Sequence, residues 1–181
     1  MERISVVGAS GSGKTTVAAR LAEKLDLPHI ELDALQHQPG WAQLPAEELR
    51  HQVTELTSGP RWVVDGNYSS ILGDLVWSRA DALIWLDLPR AAVMRQLIPR
   101  TVARAVTRRE LWNGNREPIT GLFRWDPHHS ILRWSWTRHP LVRERYTAMM
   151  ADPTYDHLRF VQLRSRAEVR RWLNEVAASA R

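Results

Sequence analysis

Eight residues near the start of the chain, Gly8-Ala9-Ser10-Gly11-Ser12-Gly13-Lys14-Thr15, restrict what it can fold into more than any others. Glycines at the first, fourth and sixth positions admit backbone dihedrals closed to other residues, so successive N–H groups can point into one concavity. The run before them, Ile4-Ser5-Val6-Val7, reads as a short buried strand. The run after them, Lys14 to Leu25, places Val17, Leu21 and Leu25 four residues apart on one helical face. A strand passing through such a loop into a helix sets the positive end of the helix dipole beneath an anion site. The spacing G-x-x-x-x-G-K-[ST] suits a triphosphate: the amides of Gly8, Ser10, Gly11, Ser12, Gly13, Lys14, Thr15 and Thr16 form its cradle. Lys14 should reach the β- and γ-phosphates and the Thr15 hydroxyl should ligate Mg²⁺, so ATP and Mg²⁺ are the expected cofactors.

Further strands are expected at His29 to Leu32 (closing on Asp33), Arg61 to Asp65, Ala82 to Asp87 and His157 to Leu163. Helical patterns fall between them, at Pro45 to about Thr57, Ser70 to Arg79, from Pro89 onward, and at Arg166 to Ala178. Residues 34–44, with Pro39-Gly40, read as a loop. Breakers from Arg109 to His129 mark an irregular insert, after which helical text resumes at Ser130 and again at Pro140. Strands alternating with helices predict a parallel sheet covered on both faces. At 181 residues the whole chain, 1–181, is expected to be one domain with a lid or insert at about 100–130.

A phosphate loop of this kind needs a second carboxylate for Mg²⁺ from a neighbouring strand. Asp65, ending Trp62-Val63-Val64, is the expected metal residue, with Asp87, two residues before Pro89, as a helix cap. Asp33 should face the same crevice, where a carboxylate can take a proton from an acceptor hydroxyl or simply cap a loop. Arg95, Arg100, Arg104, Arg108 and Arg109 crowd a stretch without any acid. Three of them, Arg100, Arg104 and Arg108, recur every fourth residue and so share a face if helical. Planar guanidinium groups bind phosphate oxygens in pairs, which points this segment toward a polyanion.

The phosphate loop, Ile30-Glu31-Leu32-Asp33 with Pro39-Gly40-Trp41 downstream, and Trp62-Val63-Val64-Asp65-Gly66-Asn67-Tyr68 together resemble the adenylate-kinase-like P-loop kinases. Within these, the chain looks closest to the group named DNA topology modulation proteins. The resemblance spans nearly the whole chain, including Asp87-Leu88-Pro89-Arg90 and the arginine-rich lid position. It implies an α/β three-layer sandwich of the P-loop NTPase type, with a five-stranded parallel sheet in the order 2-3-1-4-5, helices on both faces and an arginine-rich lid. It also implies that lid arginines clamp the transferring phosphoryl group, Arg95, Arg100 and Arg104 being the candidates, and that Arg164 lies near the adenine. Asp65-Gly66 falls where nucleoside monophosphate kinases carry Asp-Gly-x-Pro-Arg; here Asn67-Tyr68-Ser69 follows, without the arginine that binds their acceptor.

The expected activity is transfer of the γ-phosphoryl of ATP to a nucleotide or other hydroxylated metabolite. The alternative is a nucleotide-dependent nucleic-acid-binding or regulatory ATPase, and a macromolecular acceptor such as tRNA stays open. The lack of a basic tail favours the first. Trp112-Asn113-Gly114-Asn115-Arg116-Glu117 reads either as an acceptor-contacting stretch or as a lid tip. Trp134 and Trp136, beside Arg133 and Arg138, suit base stacking less well than a tryptophan-rich helix packed on the core. Zinc is not expected at His128-His129, for want of a third ligand. No cysteine is present, so disulfides and thiolate sites are excluded. Neither a membrane-spanning apolar run of ~20 residues nor a signal peptide is read, so the cytoplasm is the expected compartment.

Overall fold

Strand β1, Arg3–Gly8, runs through the centre of a five-stranded parallel sheet in the order β2-β3-β1-β4-β5. Its partners are β2, His29–Glu31; β3, Trp62–Asp65; β4, Ala82–Leu86; and β5, Arg159–Leu163. The computed structural model describes residues 1–116 and 131–179. Side chains alternate across the sheet as the strand period requires. Ile4, Val6, Val63, Ala82, Ile84 and Leu86 face α1, Lys14–Leu25, and α7, Arg166–Ser179. Val7, Val64, Leu83, Trp62 and Trp85 face the other way, into a core closed by Leu49, Val53, Leu72, Tyr146 and Met149. Those residues come from α3, Ala46–Leu56; the single turn α4, Ser69–Leu72; and α6, Ile131–Met150. Trp62, Trp77 and Trp85 are 0%, 7% and 2% exposed, so among the described residues three of the nine tryptophans are core residues.

The elements differ from the sequence expectations in several places. The second strand ends at Glu31, and Leu32–Gln36 is a short helix, α2, so Asp33 sits on a helix instead of closing a strand. The helix expected from Ser70 to Arg79 shrinks to α4, because Gly73 adopts a positive φ of 57° and ends it. Helix α5, Arg90–Thr107, stops at Arg108, whose φ of 50° is left-handed, so the shared face of Arg100 and Arg104 does not extend to Arg108. The two helical stretches after residue 130 are one helix, α6, with Pro140 inside it. Pro140 lies on the exposed side, where water can replace the bond its missing N–H cannot make.

The described part of the irregular insert, up to Arg116, is ordered. An antiparallel bridge between Glu110 and Arg116 closes a short loop around a 3₁₀ turn at Trp112–Gly114. The rest of the expected lid, with Pro118, Gly121, Pro127 and His128-His129, lies outside the described residues.

Candidate functional site

Strand register brings the site together. Val6 pairs with Asp65, and Asp65 pairs with Glu31, so two carboxylates stand side by side at the carboxyl ends of β3 and β2. Two residues beyond Val6 the chain turns at Gly8, with φ 146°, into the loop that leads to α1. A Cβ at Gly8 would lie 2.8 Å from the Leu86 carbonyl, and one at Gly11 would lie 3.0 Å from Leu97 of α5, so both positions exclude a side chain. Gly13 forms the N-cap of α1 without any side-chain hydrogen bond, leaving the first-turn N–H groups for a ligand. Ser12 is buried under the loop, Ser10 accepts a hydrogen bond through its carbonyl from Ser135 of α6, and Thr16 is exposed.

Thr15 donates from Oγ1 to Asp65 Oδ2 at 2.7 Å, with Glu31 Oε1 at 3.4 Å. Asp65 is 2% exposed, and its other oxygen meets His29 Nε2 at 2.9 Å. These are hard oxygen donors of the kind Mg²⁺ takes, and they lie where the sequence expects the metal. Among the described residues no group of three or more His, Asp or Glu is arranged to hold a metal alone. Burial raises Glu31 above its ordinary value, Asp65 and Asp33 add to this, and a hydrogen bond from Trp112 works against it. Asp87, by contrast, makes no cap. Pro89 is the N-cap of α5, and Asp87 Oδ2 accepts from Gln162 of β5 at 2.8 Å, with Arg143 Nε 3.5 Å away.

Lys14 reaches back over the loop, its Nζ donating to the Ala9 carbonyl at 3.3 Å. Burial pushes its ammonium below the ordinary lysine value, against the attraction of Asp33 and Asp65 and with some help from Arg100. Asp33 accepts a hydrogen bond from the Tyr68 hydroxyl at 2.7 Å. Loop lysine, two strand-end carboxylates, Asp33 and Arg100 therefore share one electrostatic neighbourhood. Arg104 is half-buried like Arg100, one turn further along α5. Arg95 is exposed, and about 140° of helix rotation separates it from Arg100, so the structure does not group it with them. Arg164 is also exposed and spends its contacts locally, with its N–H on Glu168 and its guanidinium on Gln162.

Several residues that sequence reasoning passed over take part. Asn67, noted only for replacing a family motif, donates to the Gly8 carbonyl and accepts from the Gly8 N–H. Arg166, two positions past Arg164, bonds Gln96 of α5 at 2.7 Å, and Gln96 lies 3.4 Å from where a Cβ on Gly13 would sit. Glu31 was legible as an acid within a strand, but only register sets it beside Asp65.

The Trp112–Asn115 turn is clasped to the segment after α2. Asn115 accepts from the Trp41 N–H and donates to the Gln38 carbonyl, both at 2.9 Å, while Asn113 donates to the carbonyls of Ala34 and His37. Trp112 stacks on the His37 ring at 5.5 Å, and Trp41 meets the same ring edge-on. Trp134 and Trp136, by contrast, are not packed into the core: they are 37% and 49% exposed, under the guanidinium groups of Arg138 and Arg90. No helix among the described residues is long and apolar enough to cross a membrane.

In sequence and in fold the chain is similar to several kinases. The protein named "Putative adenylate kinase" from Thermococcus gammatolerans is 40% identical over 81 residues, covering 40% of this chain and 46% of that protein. The chain thus spans about half the length of that relative. A shikimate kinase from Synechococcus elongatus is 29% identical over 132 residues, 62% of this chain and 70% of that one. Among solved structures, shikimate kinase from Acinetobacter baumannii, in complex with shikimate, superposes with a TM-score of 0.55 at 19% identity, over 97% of this chain and 90% of that one. Its fold is therefore shared. No protein-family model matches the chain. These likenesses concern kinases at large and do not reach the narrower DNA topology modulation group.

Proposed function

We propose that this chain is a P-loop kinase of the nucleotide-kinase-like kind and moves the γ-phosphoryl group of Mg·ATP to the hydroxyl of a small acceptor. The observation that carries this reading is the 2.7 Å bond between Thr15 and Asp65 beneath the glycine loop, with Lys14 beside it. Thr15, Asp65 and Glu31 are the residues that would hold Mg²⁺, directly or through water, with phosphate completing its shell. The metal would neutralise phosphate charge. The loop amides and Lys14 bind and orient the triphosphate. Arg100, with Arg104 behind it, supplies fixed positive charge where charge gathers on the transferred group, an effect worth about 10²–10³-fold in rate for one such donor.

The acceptor binds on the β2–β3 side, between Asp33, Tyr68 and the His37–Trp112 wall. Its hydroxyl oxygen attacks phosphorus in line, the bond to the β,γ-bridging oxygen breaks, and ADP leaves with the bond's electron pair. The hydroxyl proton passes to Asp33, whose Oδ1 is held by the Tyr68 hydroxyl. Arg166 is a better base contact than Arg164, since its guanidinium spans from the start of α7 to Gln96 of α5, beside Gly13.

An ADP-release screen over nucleotides, sugars, cyclic hydroxy acids, aminoglycosides and tRNA tests the reading. A kinase shows acceptor-dependent ADP release well above its basal hydrolysis. Hydrolysis indifferent to every acceptor, but stimulated by DNA or RNA, would favour the second reading, a nucleic-acid-dependent ATPase. The exposed indole–guanidinium pairs at Trp134 and Trp136 are the observation in its favour.

A further inference from the structure

Lys14 lies within the field of Asp33 and Asp65, yet its hydrogen bond runs to the Ala9 carbonyl and to neither carboxylate. A charge-assisted bond to a carboxylate is shorter and roughly twice as strong as a bond to a neutral partner, so a carboxylate free to turn toward the lysine would capture the ammonium. A captured lysine would have to be released before it could meet a phosphate. Both carboxylates are instead held in place by other partners. Thr15 and His29 take the two oxygens of Asp65, and Tyr68 takes Oδ1 of Asp33 at 2.7 Å.

Tyr68 is well placed to do this steadily. The Gly8–Asn67 bonds fix the residue before it, and Arg145 bonds the hydroxyl of Ser69 after it. Burial, together with Asp33, Asp65 and Glu31, pushes its phenol well above the ordinary tyrosine value, so it stays protonated and can only donate to the carboxylate.

We propose that Tyr68 is a positioning residue for Lys14: its hydroxyl holds the Asp33 carboxylate away from the lysine, as His29 and Thr15 hold Asp65, and so keeps the ammonium available for phosphate. The inference rests on Lys14 being the phosphate-binding lysine. It adds that the acceptor-side tyrosine governs nucleotide affinity without touching the nucleotide.

The test is titration of the full chain with fluorescent Mg·ATP analogue. Tyr68→Phe should weaken binding by roughly tenfold, the loss expected when one charge-assisted partner is diverted. Adding Asp33→Asn to Tyr68→Phe should bring affinity back to within about twofold of the original chain, because a neutral amide cannot capture the ammonium. A purely structural tyrosine would show no such rescue. Unchanged affinity in Tyr68→Phe, or a double variant as weak as the single one, overturns the proposal. Asp33→Asn alone gives a check that does not depend on the folding of Tyr68→Phe. It should bind nucleotide at least as well as the original chain, and a tenfold loss counts against the proposal. Absence of binding in the original chain would instead remove the phosphate-loop reading itself.

Discussion

Asn67 holds Gly8 through both ends of its amide: Nδ2 donates to the Gly8 carbonyl at 2.5 Å and Oδ1 accepts from the Gly8 N–H at 3.3 Å. The same Oδ1 accepts from the hydroxyl of Tyr146, which is buried in the core. The first residue of the phosphate loop is thereby tied to the end of β3 and to α6. Asn67→Ala should cost about 2 kcal/mol, since it leaves buried polar groups without partners, and lower the thermal midpoint by roughly 5 °C. Asn67→Asp should not restore it, because a carboxylate cannot donate to the Gly8 carbonyl. Thermal melts of the two variants check this.

Asp65 ends β3 and Asp87 follows β4, on either side of β1, but the two serve different ends. Asp65 faces Thr15, whereas Asp87 braces β4 against Gln162 of β5. Asp65→Asn should raise the Mg²⁺ concentration needed for half-maximal activity by about tenfold or more, while Asp87→Asn should act mainly on stability. A magnesium titration of both variants decides it, and the opposite ranking would transfer the metal role to Asp87.

At the far end of the strands, Arg3 binds Asp81 at 2.7 Å. Partial burial tends to raise the Asp81 carboxyl, but hydrogen bonds from the Arg3 side chain and the N–H groups of Glu2 and Arg3 outweigh it and hold the group below its ordinary 3.8. A carboxyl with a depressed folded value adds stability above its ordinary value and loses that contribution as pH falls through the lower one. The pair is about one-third exposed, so solvent screening limits its worth to about 1 kcal/mol or less. Asp81→Asn should therefore be slightly less stable near neutral pH and indistinguishable from the original chain once pH is well below 3.8. Denaturant melts across that range measure the convergence.

Asn115 is 4% exposed and joins the end of the arginine segment to Trp41 and Gln38. Asn115→Ala should release the clasp while leaving the sheet intact. Hydrogen exchange at the Trp41 amide should accelerate by about tenfold or more, and amides of β1 should not change. Equal acceleration in β1 would mean that the clasp belongs to the global fold.

The glycine loop and the parallel strands were legible because backbone geometry dictates both: the loop's spacing suits a triphosphate, and buried parallel strands show as continuous apolar runs such as Ala82–Leu86, whereas the strand order came from the family resemblance. The rest depended on tertiary partners. Asp33 sat at the end of an apolar run and looked like a strand terminus, whereas the chain had already turned into α2 one residue earlier. Glu31 carried no signal of its own, since only its pairing with Asp65 gives it a place at the site. The clasp needs Asn113 and Asn115 to meet carbonyls more than seventy residues away in sequence, and no local pattern encodes that. Trp134 and Trp136 were expected inside because tryptophan usually is, but arginines cover their faces and let them stay outside.

The most direct measurement is calorimetric titration of the chain and of Lys14→Ala with ATP, each with and without Mg²⁺. The original chain should bind one ATP per chain, more tightly with the metal present, and Lys14→Ala should lose at least about tenfold in affinity while keeping its melting profile. Equal binding by both proteins, or affinity indifferent to Mg²⁺, would contradict a triphosphate seated between the first strand and the first helix.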